Sequence, residues 1–406
     1  MPTPLWVELY KNKALSGDSG TETFPIKRTG EILELLFKVR AKNGATANAP
    51  DAAVMPTVQS SMTKIEVKSG STIFKSYSGE INRLLATYRD GRLPPTMYTQ
   101  AAGGTWAGNN DPALGWQDYV FPIYFTPRGD PYGNKTNCML PAPLYDSLDL
   151  VLDYAFTISS TAGFVTGGSN HVFDLYALML PSGTGGFQAL PANVPNNAIE
   201  RMKRRNLIIE TKKQDYTTVA SGDEPIKLTL DKNRWLRQLM IFCYENGIGE
   251  GIDLTDLKLK VSNDITWASQ WSDLQALNAK DCNLDYFLNM YLKAQGTTDE
   301  LWTRVPAPYP YISPGTAPTA APYFTTLGNG DKVTLTVEGA NDVNLIGLKS
   351  DVVPCSVFID LDRDKMMQNM QWCGINDLEI LLTNGGAGGA VQIIEQHIAP
   401  PWGYSI

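Results

Sequence analysis

Few side chains in this 406-residue sequence are of the types that do chemistry near neutral pH. Histidine, the commonest general base and metal ligand in that range, occurs twice, as His171 and His397. Each falls in the last strand expected in its half, with no HExxH pattern and no triad within reach, so both are expected in a core or an interface. Asp360, Asp362 and Asp364 (DLDRD) set three carboxylates at alternate positions, a pattern that a divalent cation could use. The glycine and later glutamate of a calcium loop are missing, so the run reads as a solvated strand-end turn with Arg363 pairing locally. Asp253, Asp256, Asp264 and Asp273 are scattered and share no face. Glu379 and Glu395 would be the carboxylate pair of a glycoside hydrolase if separate strands brought them together. The plainer reading turns both outward among alternating core residues.

The glycine clusters do not read as phosphate cradles. Gly385, Gly386, Gly388 and Gly389 lie between two expected strands, where a hairpin turn accounts for them, and no Lys-Ser/Thr follows. Gly183, Gly185 and Gly186 open an expected linker just after Pro181. Trp235, Trp267 and Trp271 sit in apolar strands or helix faces and are expected in packing rather than on a sugar platform. The five cysteines, Cys138, Cys243, Cys282, Cys355 and Cys373, are odd in number and form no CxxC pair. They specify neither a disulfide framework nor a zinc site, and free thiols in a reducing compartment are expected. No residue is assigned a catalytic, cofactor-binding or metal-binding role, no cofactor is expected, and the expectation is a protein that is not an enzyme.

Charge narrows the partners. The formal net charge is −8, which argues against coating nucleic acid through a general electrostatic footprint. Sequence-specific nucleic-acid binding is not expected. The dense basic run Arg201, Lys203, Arg204 and Arg205, followed by Lys212 and Lys213, is short and reads as a solvated strand or linker face. Charged residues make up 19%, below a typical value of about 25%, as suits a protein that buries surface against copies of itself. The N-terminal residues show neither a basic region nor an apolar stretch of a signal peptide. No run approaches the roughly 18 apolar residues that a membrane-spanning helix needs.

The elements that would carry these residues are mostly strands. Thirty-five glycines and twenty-six prolines punctuate short apolar stretches along the whole length, the mark of short strands and long loops. Strands are expected at residues 31–40, 64–68, 119–125, 147–156, 171–180, 207–210, 226–230, 235–244, 332–337, 357–360, 378–382 and 391–398. Helices are expected at 78–89, where Ser78 can cap and Ile81, Leu84, Leu85 and Tyr88 share a face, and at 265–280 and 285–294. Residues 91–115 and 303–322 read as long loops, which usually have a job.

The order of elements occurs twice. The strand from Glu31, the helix from Gly79, and the strands from Tyr119, Leu144 and His171 match the strand from Trp235, a helix around 271–280, and the strands from Cys355, Ile375 and Val391. The offset of about 200 residues is too long for a solenoid and points to a domain duplication. Two stretches carry a likeness to a known family. Around 116–156, an aromatic strand leads through Leu140-Pro141 to a Leu-rich acidic strand. Around 351–398, a strand, an Asp/Arg loop, a strand, a Gly turn and a strand close the second half. In these patterns the chain resembles the double jelly-roll major capsid proteins of tailless icosahedral viruses, the tectivirus and adenovirus lineage.

The resemblance implies an all-β fold of two tandem eight-stranded jelly-roll β-sandwiches with short helices and long loops. It implies an N-terminal arm (1–19), a first jelly roll (20–180), a linker (181–206), a second jelly roll (207–400) and a C-terminal tail (401–406). It further implies a major capsid protein made in the host cytoplasm, assembling as pseudo-hexagonal homotrimers into an icosahedral virion shell. Partners would be other copies, minor capsid, penton or spike proteins, and an internal membrane beneath the shell. The first 20 residues lack the long basic or amphipathic helix with which some members touch that membrane. The helix at 78–89, the loop 303–322 and the linker are expected as contact elements between subunits. The alternatives are a carbohydrate-binding or carbohydrate-active β-sandwich protein, or another virion part such as a spike or penton protein.

Overall fold

The computed structural model describes residues 4–42, 58–92, 94, 96–99, 116–128, 138–158, 163–181, 208–217, 221–228, 235–244, 254–261, 264–282, 284, 286–292, 311–313, 323–325, 332–334, 344–350, 356–361, 378–386 and 389–399. In the first half the strands are β1 (Leu5–Ala14), β2 (Ser19–Pro25), β3 (Gly30–Lys42), β4 (Met62–Ser69), β5 (Thr72–Tyr77), β6 (Thr96–Thr99), β7 (Trp116–Tyr124), β8 (Leu140–Pro141), β9 (Asp149–Ala155) and β10 (His171–Pro181). The short helix α1 (Val58–Ser61) and α2 (Gly79–Asp90) lie among them. The second half holds β11 (Ile208–Thr217), β12 (Gly222–Lys227), β13 (Trp235–Tyr244), β14 (Leu254–Val261), β15 (Asp264–Gln270), α3 (Trp271–Asp281), β16 (Tyr286–Leu292), β17 (Tyr311–Ser313), β18 (Tyr323–Thr325), β19 (Lys332–Thr334), β20 (Asn344–Ser350), β21 (Ser356–Asp360), β22 (Leu378–Asn384) and β23 (Ala390–Ala399).

The first sandwich faces the sheet β1-β10-β3-β7-β6 against the strands β2-β9-β4-β5. Numbered one to eight without β6 and β8, its principal strands form the layers 1-8-3-6 and 2-7-4-5. In the second half the layers are β11-β23-β13-β21 and β12-β22-β14-β15. With β16 to β20 left out, they number identically. A shared order with both layers crossed in the same way is the double Greek key of a jelly roll, present twice. The matches drawn from sequence, β3 with β13, α2 with α3, β7 with β21, β9 with β22 and β10 with β23, occupy equivalent places in the two orders.

Alternation explains the first core. In β3, Leu35, Phe37, Val39 and Ala41 are fully buried while Lys38 and Arg40 are only partly covered, the period-two signature of a sheet with one buried face. Phe37 stacks on Phe121 of β7 at 4.5 Å, and Phe24 of β2 stacks on Phe173 of β10 at 4.2 Å. Each buried Phe contributes about 1.5–3 kcal/mol through its removal from water, and a stacked pair adds about 0.5–1.5 kcal/mol.

The sandwiches are joined by hydrogen bonding. β5 pairs in parallel with β11, with Lys75 opposite Thr211 and Ser76 opposite Lys212. The strands β2-β9-β4-β5 and β11-β23-β13-β21 thus form one eight-stranded sheet. The near-continuous apolar run of β13 follows from this. Leu239, Ile241 and Cys243 belong to the second core, whereas Met240 and Phe242 belong to the first. A strand with cores on both sides needs apolar residues at both parities.

Three expectations change. Residues 5–14, expected within an N-terminal arm, form β1 and pair with β10 from Leu5 opposite Met179 to Ala14 opposite Val172. Residues 265–270, expected to begin a helix, are strand and pair with β14; β-branched Ile265 suits that ladder. Residues 286–292, expected as helix, pair with β20. Among the described residues, no helix is long and apolar enough to cross a membrane.

Candidate functional site at the joint between the sandwiches

The residues singled out for chemistry do not converge. His171 begins β10 with no exposed surface, its ring stacked on Phe156 at 4.1 Å and its Nε2 3.1 Å from Asp18 Oδ1. Burial pulls its pKa below the ordinary histidine value, against the opposing pull of Asp18. His397 is in β23, 3% exposed, with Nε2 2.8 Å from Glu395 Oε2. Both lie in the final strand of their half and both are buried, as expected.

Glu379 does lie on the face of β22 opposite the core residues Ile380 and Leu382, though only 8% exposed, held by Lys260 at 3.0 Å and Lys227 at 3.6 Å. Those cations hold its carboxyl below the usual range, the Lys260 hydrogen bond above all. Glu395 does not. It is 1% exposed, on the same face of β23 as the core residues Val391 and Ile393, where Gln214 donates to it at 2.7 Å. A buried carboxylate is tolerable there because Gln214 and His397 supply its partners. β22 and β23 lie in opposite layers of the second sandwich, so no ladder sets Glu379 beside Glu395. For the same reason Gly385, Gly386 and Gly389 sit in a crossing between layers and not in a hairpin; Gly386 N–H donates to Asn384 Oδ1 at 3.2 Å.

Asp360 ends β21, while Asp362 and Asp364 lie outside the described residues. So do the basic run 201–205, Gly388, Gly183, Gly185, Gly186, Cys355, Cys373, the side chain of Trp235 and nearly all of 303–322. Lys212 and Lys213 pair with Glu210 and Asp215 along β11. Trp267 and Trp271 pack against the second core. Among the described residues, no group of three His, Cys, Asp or Glu could hold a metal ion.

The side chains that act together lie at the joint. α2 starts at Ser78, whose Oγ accepts the Ile81 N–H, and stops at Gly91, left-handed at φ 73°, a conformation that glycine adopts without strain. Most of the helix is buried within the chain, which corrects its expected role as a contact element between subunits. Tyr88 reaches from α2 into the second sandwich. Its hydroxyl lies 2.8 Å from Ser356 Oγ and 3.0 Å from Ser356 O, and its ring stacks on Phe358 at 5.1 Å. Arg128, just beyond β7, donates to the carbonyls of Asp281 and Cys282 at the end of α3, at 3.0 Å and 2.6 Å. A cation there also complements the negative end of the helix dipole.

The matched strands β7 and β21 are each held by an asparagine from the helix of their own half. Asn82 donates to Pro122 O at 2.7 Å, and the Asn278 amide pairs with both backbone groups of Phe358. Asn278 thereby continues the ladder where β21 is the sheet's last strand, and it blunts an open edge. Sequence reading missed this pair, because nothing at a lone helical asparagine reveals the strand beside it. Between the helices lies a cavity of about 670 Å³, bordered by Lys75, Arg89, Arg128, Arg237, Asp281 and Asp360 together with apolar side chains such as Leu85, Leu277 and Phe358.

No family model matches the chain, and no curated protein matches it. Solved structures do. The chain is similar to the STIV MCP, from Sulfolobus Turreted Icosahedral Virus, at 12% identity and a TM-score of 0.57, over 98% of this chain and 97% of that one. It is similar to the major capsid protein P2 from bacteriophage PM2, at 9% identity and a TM-score of 0.50, over 98% and 97%. It is also similar to the PBCV-1 virus capsid, at 9% identity and a TM-score of 0.51, over 98% and 94%. At these identities the likeness is one of architecture carried over nearly the whole length: this chain has the double jelly-roll fold of viral capsid proteins.

Proposed function

We propose that this protein is a major capsid protein, a structural component of a virion that works by self-association and not by catalysis. The observation that carries the reading is the welding of two identically ordered sandwiches into one body through a continuous eight-stranded sheet. That arrangement gives a stiff, two-lobed block with its strands mostly paired, which suits tiling better than ligand turnover. The solved structures it resembles over nearly its full length include viral capsid proteins.

In the full reading, three chains close by cyclic symmetry into a capsomer. Two lobes per chain then give a near six-fold outline, and such capsomers tile an icosahedral shell. Other copies are the main partners, with minor capsid, penton or spike proteins at special positions and an internal membrane beneath. Synthesis in the host cytoplasm fits a buried free thiol at Cys282. The test is the mass of the purified chain in solution. A stable particle of three chains of 44.6 kDa is the expected result, and a monodisperse monomer across the accessible concentration range overturns it.

A further inference from the structure

The cavity at the joint concentrates positive charge in an acidic protein. Lys75 of β5, Arg89 of α2, Arg128 and Arg237 of β13 border it, and the carboxylates on its described wall are Asp281 and Asp360. Three arginines and a lysine thus share this wall with two aspartates, in a chain of net charge −8.

Lys75, Arg89 and Arg128 are held largely by neutral acceptors. Lys75 is 2% exposed and its Nζ donates to Thr211 Oγ1 at 3.0 Å. Arg128 donates to the carbonyls of Tyr88, Asp281 and Cys282. Arg89 donates to the carbonyl and hydroxyl of Thr126, with the Asp90 carboxylate at 3.8 Å. Neutral acceptors satisfy donors without cancelling charge. Burial first, and then repulsion from Arg89 and Arg237, pull the Lys75 pKa down to about 7, although Glu210 pulls the other way. Like charges gathered among apolar walls focus a positive potential on the space between them.

The space is also of a size for a ligand. Its volume of about 670 Å³ falls inside the range of about 300–1,000 Å³ typical of small-molecule sites. It has a way in: Leu277 and Asp281, on the α3 side of the wall, are exposed. Both sandwiches contribute cations, Lys75, Arg89 and Arg128 from the first and Arg237 from the second.

We propose that this cavity binds a phosphate-type oxyanion between Lys75, Arg89, Arg128 and Arg237, and that the bound anion ties the two sandwiches together. Arginine forks suit such an oxyanion because they present paired donors to its oxygens. This inference stands apart from the capsid reading, which the mass measurement tests separately.

The experiment is calorimetric titration of the full chain with sodium pyrophosphate, against sodium chloride at matched ionic strength. Saturable binding of one anion per chain is expected. Lys75→Met and Arg128→Gln should each weaken it by about tenfold or more, the usual worth of a charge-assisted hydrogen bond. Lys258→Gln, on β14 in an exposed pair with Asp223 of β12, should leave it unchanged. Near-UV circular dichroism checks the fold of each variant; if Arg128→Gln fails to fold, Arg128→Lys, which keeps the charge and loses the fork, takes its place. A parallel arm uses phosphatidate vesicles against phosphatidylcholine vesicles. Vesicle binding that Arg128→Gln abolishes, without binding of pyrophosphate, assigns the anion to a lipid headgroup; the converse assigns it to a free anion. Absence of both kinds of binding, or wild-type affinity in Lys75→Met and Arg128→Gln, overturns the proposal.

Discussion

Removing Tyr88 probes the joint most directly, because one side chain there makes both a polar and an aromatic contact across it. Tyr88 is 1% exposed, and its hydroxyl lies within 3.0 Å of both oxygens of Ser356, itself fully buried. Tyr88→Phe should cost about 1–3 kcal/mol, from a lost hydrogen bond and acceptors left dry. Tyr88→Ala should cost about 3–5 kcal/mol, from lost burial and the cavity left behind. Part of that cost belongs to the stack on Phe358 at 5.1 Å, so a cycle of Tyr88→Ala, Phe358→Ala and the double variant should show a coupling of about 0.5–1.5 kcal/mol. The assay is urea unfolding at fixed protein concentration, followed by tryptophan fluorescence and by circular dichroism. Two probes are needed because a two-lobed chain can lose two-state behaviour. The wild type should unfold in one coincident transition, and Tyr88→Ala should lower its midpoint or split it. An unchanged midpoint in Tyr88→Ala, or strictly additive effects in the cycle, would refute the claim that this contact holds the lobes together.

Other positions make sharper local statements. A Cβ at Gly79 would lie 2.3 Å from Gln59 O and 2.9 Å from Met62 Cβ, so Gly79→Ala should destabilise by about 1–3 kcal/mol or more through overpacking, measured by the same urea titration. Gly70, at φ 55° with nothing within 4 Å of an added Cβ, should accept Asn with a far smaller loss. His171 has a folded pKa below its unfolded value, so the folded state binds fewer protons than the unfolded one as pH drops below about 6.5. Stability should therefore fall from pH 7 toward pH 5, and His171→Phe should flatten that fall; an equally steep profile in the variant counts against it. With only two histidines, proton NMR can also place the His171 titration below the ordinary histidine value directly. Burial raises the Cys282 thiol to about 11, so alkylation at pH 8, read by peptide mass mapping, should leave Cys282 unmodified until the chain is denatured.

Much of the architecture was legible because short apolar stretches bounded by glycine, proline and charge announce strands. Residues 31–40, 171–180 and 391–398 read that way, and the structure has strands there. The Ser78 cap and the apolar stripe of α2 were equally visible, since they depend on neighbours along the chain. Errors fell where local pattern is ambiguous. Residues 286–292 are apolar and aromatic over one short run, which periodicity alone assigns to helix or strand with equal ease, and pairing with β20 decides the matter. β1 and β2 were missed because most of their residues stay exposed, β1 with Leu5 and Trp6 outward and β2 with polar side chains, so neither run shows a sharp contrast between faces.

The amino-acid order alone thus determined many of the strands and the α2 helix, that the set occurs twice, and that histidine and cysteine are too few and too scattered for an obvious catalytic motif. Those properties depend on contacts a few residues apart. Only the tertiary structure decided that Glu395 points inward, that β22 and β23 part into opposite layers, that α2 serves the joint, and that Lys75, Arg89, Arg128 and Arg237 share one cavity. These facts rest on which distant strands pair. The linking pair of Lys75 with Thr211 spans more than a hundred residues of chain, and no local rule of spacing encodes it.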